Sequence, residues 1–164
     1  PVRILFVCLG NICRSPLAEA LFRAHVEAKG VADHFEIASS GTGDWHVGNP
    51  ADPRTVAEAN RHGISLADHA ARQVTSADLS HYDHVLAMDK RNLSDLLALD
   101  TADANNPKIR LLREFDEEPG DFSVPDPYYG GADGFSNVQA IVDRSTRRLL
   151  DGLIAHYDMP EGAA

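Results

Sequence analysis

The chain has 164 residues, 43% of them hydrophobic and 7% aromatic, which suits a single globular domain spanning 1–164 around one core. Fifteen Lys+Arg against 25 Asp+Glu give a net charge of −10, which argues against nucleic acid as a partner because that role calls for a basic face. The two cysteines, Cys8 and Cys13, are too few for a disulfide framework or a Cys-rich zinc site, so neither a metal nor another cofactor is expected.

No stretch approaches the roughly 20 apolar residues of a membrane span, and Pro1–Cys8 lacks a basic leader and a small-residue cleavage site. The expected location is therefore cytoplasmic, with no membrane partner. An acidic protein handling an anionic substrate would need a concentrated positive pocket inside a negative surface.

Val2 to Val7 reads as a buried parallel strand. A Leu9-Gly10-Asn11 turn follows, and Ser15-Pro16 is expected to open a helix with Ser15 as its cap and Gly30 as its stop. A second strand is expected over His34–Ala38, then a Gly/Pro-rich loop to Pro53, and a helix from Pro53 to Arg61 stopped by Gly63. After a short helical turn near Asp78, a third strand is predicted over His84–Met88 and a helix capped by Asp89 through Leu99. Ile109–Leu112 reads as a fourth strand. Glu114–Gly134 reads as a long loop with three prolines, and loops of that length are uncommon unless functional. A long helix with apolar residues from Val138 to Ile154 closes the chain. Strands alternating with helices predict an α/β fold, a doubly wound four-stranded parallel sheet flanked by helices, with a phosphate loop after the first strand.

That loop is Cys8-Leu9-Gly10-Asn11-Ile12-Cys13-Arg14-Ser15. A cysteine ends an apolar strand, Gly and Asn permit tight backbone geometry, and Arg-Ser-Pro leads into a helix. Such a loop turns successive N–H groups toward one point and makes an anion nest, while Arg14 supplies a planar fork for two phosphate oxygens. The same positive field favours the thiolate of Cys8, the form that attacks phosphorus. Transfer to sulfur releases an oxygen leaving group that gains from protonation, so an acid is expected opposite the nucleophile. Asp126, held between Pro125 and Pro127 and followed by Tyr128 and Tyr129, is the candidate in the long loop.

The octet resembles the signature of the low-molecular-weight protein tyrosine phosphatase family. The resemblance continues at Ser40-Gly41, Asp44-Trp45, Asp52-Pro53-Arg54, His69-x-Ala71-Arg72, Met88-Asp89 with Asn92, and Asp126-Pro127-Tyr128-Tyr129-Gly130, in family order. It implies a protein-tyrosine phosphatase working through a phosphocysteine on Cys8, with Arg14 clamping phosphate and Asp126 as general acid and base. It also implies that Trp45, Tyr128 and Tyr129 form the substrate rim, and that Asn11, Ser15, Ser40 and His69 support the loop. By the same resemblance Cys13 is a redox partner for Cys8. The implied partners are a tyrosine-phosphorylated protein, with a bacterial tyrosine kinase among the candidates, and phosphate or other oxyanions in the site.

Three other readings share parts of this pattern. Thiol-coupled arsenate reductases use further cysteines, and none follows Cys13 here. Protein arginine phosphatases carry Thr where this chain has Ile12. A phosphotransfer carrier would need no leaving-group acid.

Overall fold

The computed structural model describes residues 1–101, 103, 105–129, 131 and 133–162, with Tyr129 described in its backbone alone. Four parallel strands, β1 (Val2–Cys8), β2 (Phe35–Gly41), β3 (His84–Ala87) and β4 (Ile109–Leu111), lie in the order β2-β1-β3-β4. Five helices connect or follow them: α1 (Arg14–Ala28), α2 (Pro53–Arg61), α3 (Ser76–His81), α4 (Lys90–Leu99) and α5 (Gly134–His156). The doubly wound sheet predicted from the alternation of strands and helices is what forms.

The central strand shows why its sequence is continuously apolar. Side chains alternate across a sheet, and β1 is covered on both faces. Ile4, Phe6 and Cys8 face one core with Leu21 and Phe22 of α1 and Val142 and Leu149 of α5. Leu5 and Val7 face the other, with Leu79 of α3 and Leu96 of α4. Phe6 meets Phe22 edge-on, ring centroids 5.6 Å apart, and each such fully buried side chain contributes about 1.5–3 kcal/mol.

Local signals set most element ends. Gly30 takes φ +69°, letting its own N–H reach Glu27 O and that of Val31 reach Val26 O, which closes the end of α1. Asp52 caps α2 by accepting from Arg54 N at 2.8 Å, and Asp89 with Asn92 forms a reciprocal box at the start of α4.

Three expectations need correction. Ser15 does not cap α1: the helix begins at Arg14 after Cys13, without a side-chain cap, because the Ser15 hydroxyl is engaged at the Cys8 sulfur instead. The second strand starts one residue later and runs to Gly41, since Ala32–His34 forms a 3-10 turn and Cys8 extends the pairing as far as Gly41. The fourth strand stops at Leu111 because Leu112–Phe115 turns into a 3-10 segment, and Pro127–Tyr129 makes another inside the stretch read as loop.

The order reverses at β1, where the chain crosses from β2 on one side to β3 on the other. The carboxyl end of a strand at such a switch point is where open α/β sheets hold ligands, and there β1 delivers Cys8.

Candidate active site

The backbone after Cys8 is held from outside by its carbonyl groups. Cys8 O accepts from Thr42 N at 2.9 Å, Leu9 O from Gly43 N at 2.9 Å, and Ile12 O from Asp52 N at 2.8 Å. Asn11 O accepts from His69 Nε2 at 2.6 Å, which fixes the proton of that imidazole on Nε2. In a trans peptide the N–H points opposite to the C=O. Outward carbonyls therefore turn the N–H groups of Leu9, Gly10, Ile12 and Cys13 to the other side, the side of the cleft. The close approach requires Gly41: a Cβ there would lie 2.7 Å from Leu9 O.

Asn11 governs the curl. It is fully buried at φ +56°, a left-handed conformation that Asn tolerates better than most side chains. Its N–H points at Cys8 Sγ from 3.3 Å. Its side-chain amide donates to Ser15 Oγ at 2.8 Å and to Ser39 Oγ at 3.0 Å, and its Oδ1 accepts from Arg72 N at 3.0 Å. Ser15 Oγ lies 3.0 Å from Cys8 Sγ and 3.3 Å from Ser40 O. Ser15 Oγ accepts from Asn11 and donates to Ser40 O, while either atom can be the donor in its contact with the Cys8 sulfur. Ser39 Oγ passes the chain on to Glu19 Oε1 at 2.7 Å.

Arg14, 2% exposed, carries the positive charge. Burial works against that charge, but the Cys8 sulfur, Asp89 and Asp126 outweigh it and hold the guanidinium above its ordinary pKa. One nitrogen donates to Asp89 Oδ2 at 2.6 Å and to Val124 O at 3.0 Å, while the other stands 3.5 Å from Asp126 Oδ2. Asp126 Oδ1 accepts from Tyr128 N at 3.0 Å, fixing the carboxyl at the head of the Pro127–Tyr129 turn. The loop bearing it is pinned further back by Arg113, which donates to Ser123 O at 2.7 Å and Glu118 O at 2.5 Å and pairs with Asp116.

Cys13 is of a different kind. Burial pushes its thiol up to about 12, assisted by the charges of Asp52, Cys8 and Asp126 and opposed by the Thr55 hydroxyl. It stays protonated, and both cysteines are free thiols in the structure.

These groups converge on a cleft of about 350 Å³ lined by Cys8, Leu9, Gly10, Ile12, Cys13, Arg14, Trp45, His46, Asp126 and Tyr128. Trp45, 70% exposed, and Tyr128 stand at its mouth, and the indole ring occupies the space over Gly43 that a side chain there would need. The side chains of Asn11 and Ser15, the Ser40 carbonyl and the His69 imidazole are hydrogen-bonded to or within the loop. Ser40 acts through its carbonyl, and the side-chain partner of Asn11 is its neighbour Ser39. The expected place of Tyr129 in the rim falls on a side chain outside the described residues. Among the described residues no group of His, Cys, Asp and Glu is arranged to hold a metal ion.

Sequence reasoning passed over four contributors. Glu19 lies one helical turn beyond Ser15 and His46 sits beside Trp45, so each had a positional signal. The Arg14–Asp89 pair joins residues far apart along the chain, with no local signal at all, whereas Arg113 reaches only to Asp116, Glu118 and Ser123 just ahead of it in an irregular stretch. Asp89 could be read as a helix cap, which it also is.

A buried sulfur ringed by inward amides, beside a captive arginine at a sheet switch point, defines a cysteine-loop protein built for tetrahedral oxyanions. The family profile of the low molecular weight phosphotyrosine protein phosphatases matches residues 3–158. A low molecular weight protein-tyrosine-phosphatase of Streptomyces coelicolor is 49% identical over 150 residues, covering 90% of this chain and 91% of the relative. The crystal structure of a protein tyrosine phosphatase from Entamoeba histolytica with Hepes in the active site superposes at a TM-score of 0.89 and 34% identity, covering 96% of this chain and 99% of that one. YfkJ from Bacillus subtilis superposes at 0.88 and 38% identity, over 94% and 96% of the two chains. The chain belongs to the low molecular weight phosphotyrosine protein phosphatase family, and its reaction class is phosphoric monoester hydrolysis.

Proposed function

We propose that the protein hydrolyses phosphotyrosine in proteins, and aryl phosphates generally, through a phosphocysteine on Cys8. The thiolate attacks phosphorus in line with the tyrosine oxygen. As the S–P bond forms and the P–O bond breaks, the electron pair goes to the phenolic oxygen and the proton of Asp126 follows it. The loop amides and Arg14 hold the three equatorial oxygens and take up their charge. A water then attacks the phosphocysteine and gives its proton to Asp126. The S–P bond breaks, and thiolate and inorganic phosphate are released.

The observation that supports this best is the convergence of Asp126, from far along the chain, with Cys8 and Arg14 of one loop on a single cleft of about 350 Å³. Ile12, Trp45 and Tyr128 on its wall suit an aromatic ester, with the ring between apolar surfaces and the phosphate over sulfur. The Hepes held by the Entamoeba relative carries a sulfonate, an oxyanion of the same shape. The physiological partner in this reading is a tyrosine-phosphorylated protein, a tyrosine kinase being one such substrate. The reading is of a single cytoplasmic domain over residues 1–164. No helix among the described residues is long and apolar enough to cross a membrane.

The test is Cys8→Ser assayed with p-nitrophenyl phosphate and vanadate. Turnover should fall by a factor on the order of 10⁴ or more while vanadate still binds, because the amides and Arg14 remain. Hydrolysis within tenfold of wild type would take Cys8 out of the mechanism.

A further inference from the structure

We infer that Arg54 is a positioning residue, a staple that fixes the Asp126–Tyr128 turn relative to the Cys8 loop. The inference rests on the reading of Asp126 as the general acid.

The Asp52-Pro53-Arg54 motif stands out in the sequence, and the reaction as described gives it no task. Its geometry supplies one. Asp52 is buried, and its backbone N–H donates to Ile12 O at 2.8 Å, which fastens it to the phosphate loop. Its carboxylate takes the guanidinium of Arg54 in a fork, from Nε at 3.1 Å and from a terminal nitrogen at 2.9 Å. The guanidinium carbon lies 4.8 Å from the ring centre of Phe135 and 5.3 Å from that of Tyr128. Phe135 packs on Ile12, Cys13 and Ala71 beneath the loop, so one ring is anchored on the floor and the other stands in the rim. Tyr128 N in turn donates to Asp126 Oδ1 at 3.0 Å. The order is therefore Ile12, Asp52, Arg54, Tyr128, Asp126, an unbroken path from the nucleophile's loop to the acid.

Only a guanidinium does both halves of this task. It presents a planar fork to a carboxylate edge-on while its faces remain free for aromatic rings. A lysine ammonium keeps the charge and loses the stack. The Arg54 side chain is 52% exposed, and pairs so exposed to water add little to global stability. Its loss should therefore show in the placement of Asp126 more than in melting temperature.

The test compares kcat/KM for phosphotyrosine, a poor leaving group that needs its proton, with p-nitrophenyl phosphate, a good one that needs it less. Arg54→Met and Arg54→Lys should each lose roughly tenfold on phosphotyrosine and no more than about threefold on p-nitrophenyl phosphate. Competitive inhibition by inorganic phosphate should stay within about twofold of wild type, since the Cys8 loop is untouched. Phe135→Leu, which removes the anchored ring, should shift the ratio in the same direction by a smaller factor. Asp126→Ala calibrates the scale. If Asp126→Ala discriminates and the Arg54 variants lose both substrates equally, or neither, the staple is overturned and the acid assignment survives. If Asp126→Ala itself fails to discriminate, the acid assignment falls and the staple with it.

Discussion

The two walls of the cleft are built on different plans. The sulfur wall is one contiguous octet, almost wholly buried, and the backbone N–H groups of Thr42, Gly43 and Asp52 with the His69 imidazole hold its carbonyls. The acid wall is a half-exposed turn on a long loop, held by three arginine side chains, Arg14, Arg54 and Arg113, each from a different part of the fold. The first wall is rigid because the backbone leaves it no alternative. The second is placed by charges and rings and is the easier one to displace. The chemistry fits this division, because a nest of amides tolerates no distortion whereas an acid must follow its proton out to the leaving oxygen and back.

Substitutions on the two walls should separate cleanly. Asp126→Ala should reduce phosphotyrosine turnover by about 10²–10⁴ while leaving stability within about 0.5 kcal/mol, read by steady-state kinetics and thermal melts. Asn11→Ala should act on both quantities. Losing three buried side-chain hydrogen bonds at a left-handed position should cost about 2–4 kcal/mol. It should also lower turnover on good and poor leaving groups alike, by roughly 10–100-fold. Stability preserved in the Asn11 variant would erase the contrast.

A smaller effect tests the anchor of the acid loop. Burial alone would raise the Asp116 pKa, but hydrogen bonds from Arg144, Glu118 N and Arg113 hold its carboxyl near 2, below the ordinary 3.8. A carboxyl depressed on folding adds stability above its unfolded pKa and loses it as pH falls toward the folded one. Asp116 should thus contribute about 2 kcal/mol at neutral pH that disappears between pH 4 and 2. In Asp116→Asn the melting curve should lose that part of its acid slope.

The smallest effect concerns the second sulfur. With its thiol at about 12 and its side chain buried, Cys13 should resist alkylation at neutral pH under conditions that modify Cys8. Under mild peroxide the Cys8 sulfenic acid should condense with the Cys13 thiol, losing water and leaving a disulfide visible by mass spectrometry. A sulfinate on Cys8 with no such bond would refute the redox pairing.

The same contrast explains what could be read from the sequence. The octet was legible because Cys8, the turn residues and Arg14 are neighbours in the chain. The start of α4 was legible because its cap, Asp89, is a local signal, and Asp52 proves to be a cap of the same kind at α2. Ser15 misled because a serine before Pro looks like a cap, and only the fold shows that sulfur claims its hydroxyl. The pairing of Arg14 with Asp89 depends on where the end of β3 comes to rest, which no window of sequence contains; the hold of Arg113 on Ser123 O spans only ten residues but follows an irregular loop path that no periodic pattern marks.

The outward bonding of the loop carbonyls has a thermodynamic consequence for traffic through the site. Since the donors behind the loop are already engaged, an arriving anion need not order any peptide unit, and a departing one leaves no slack chain behind. Entry of ester and exit of phosphate then meet the same fully formed seat, with little conformational entropy lost on arrival or recovered on departure.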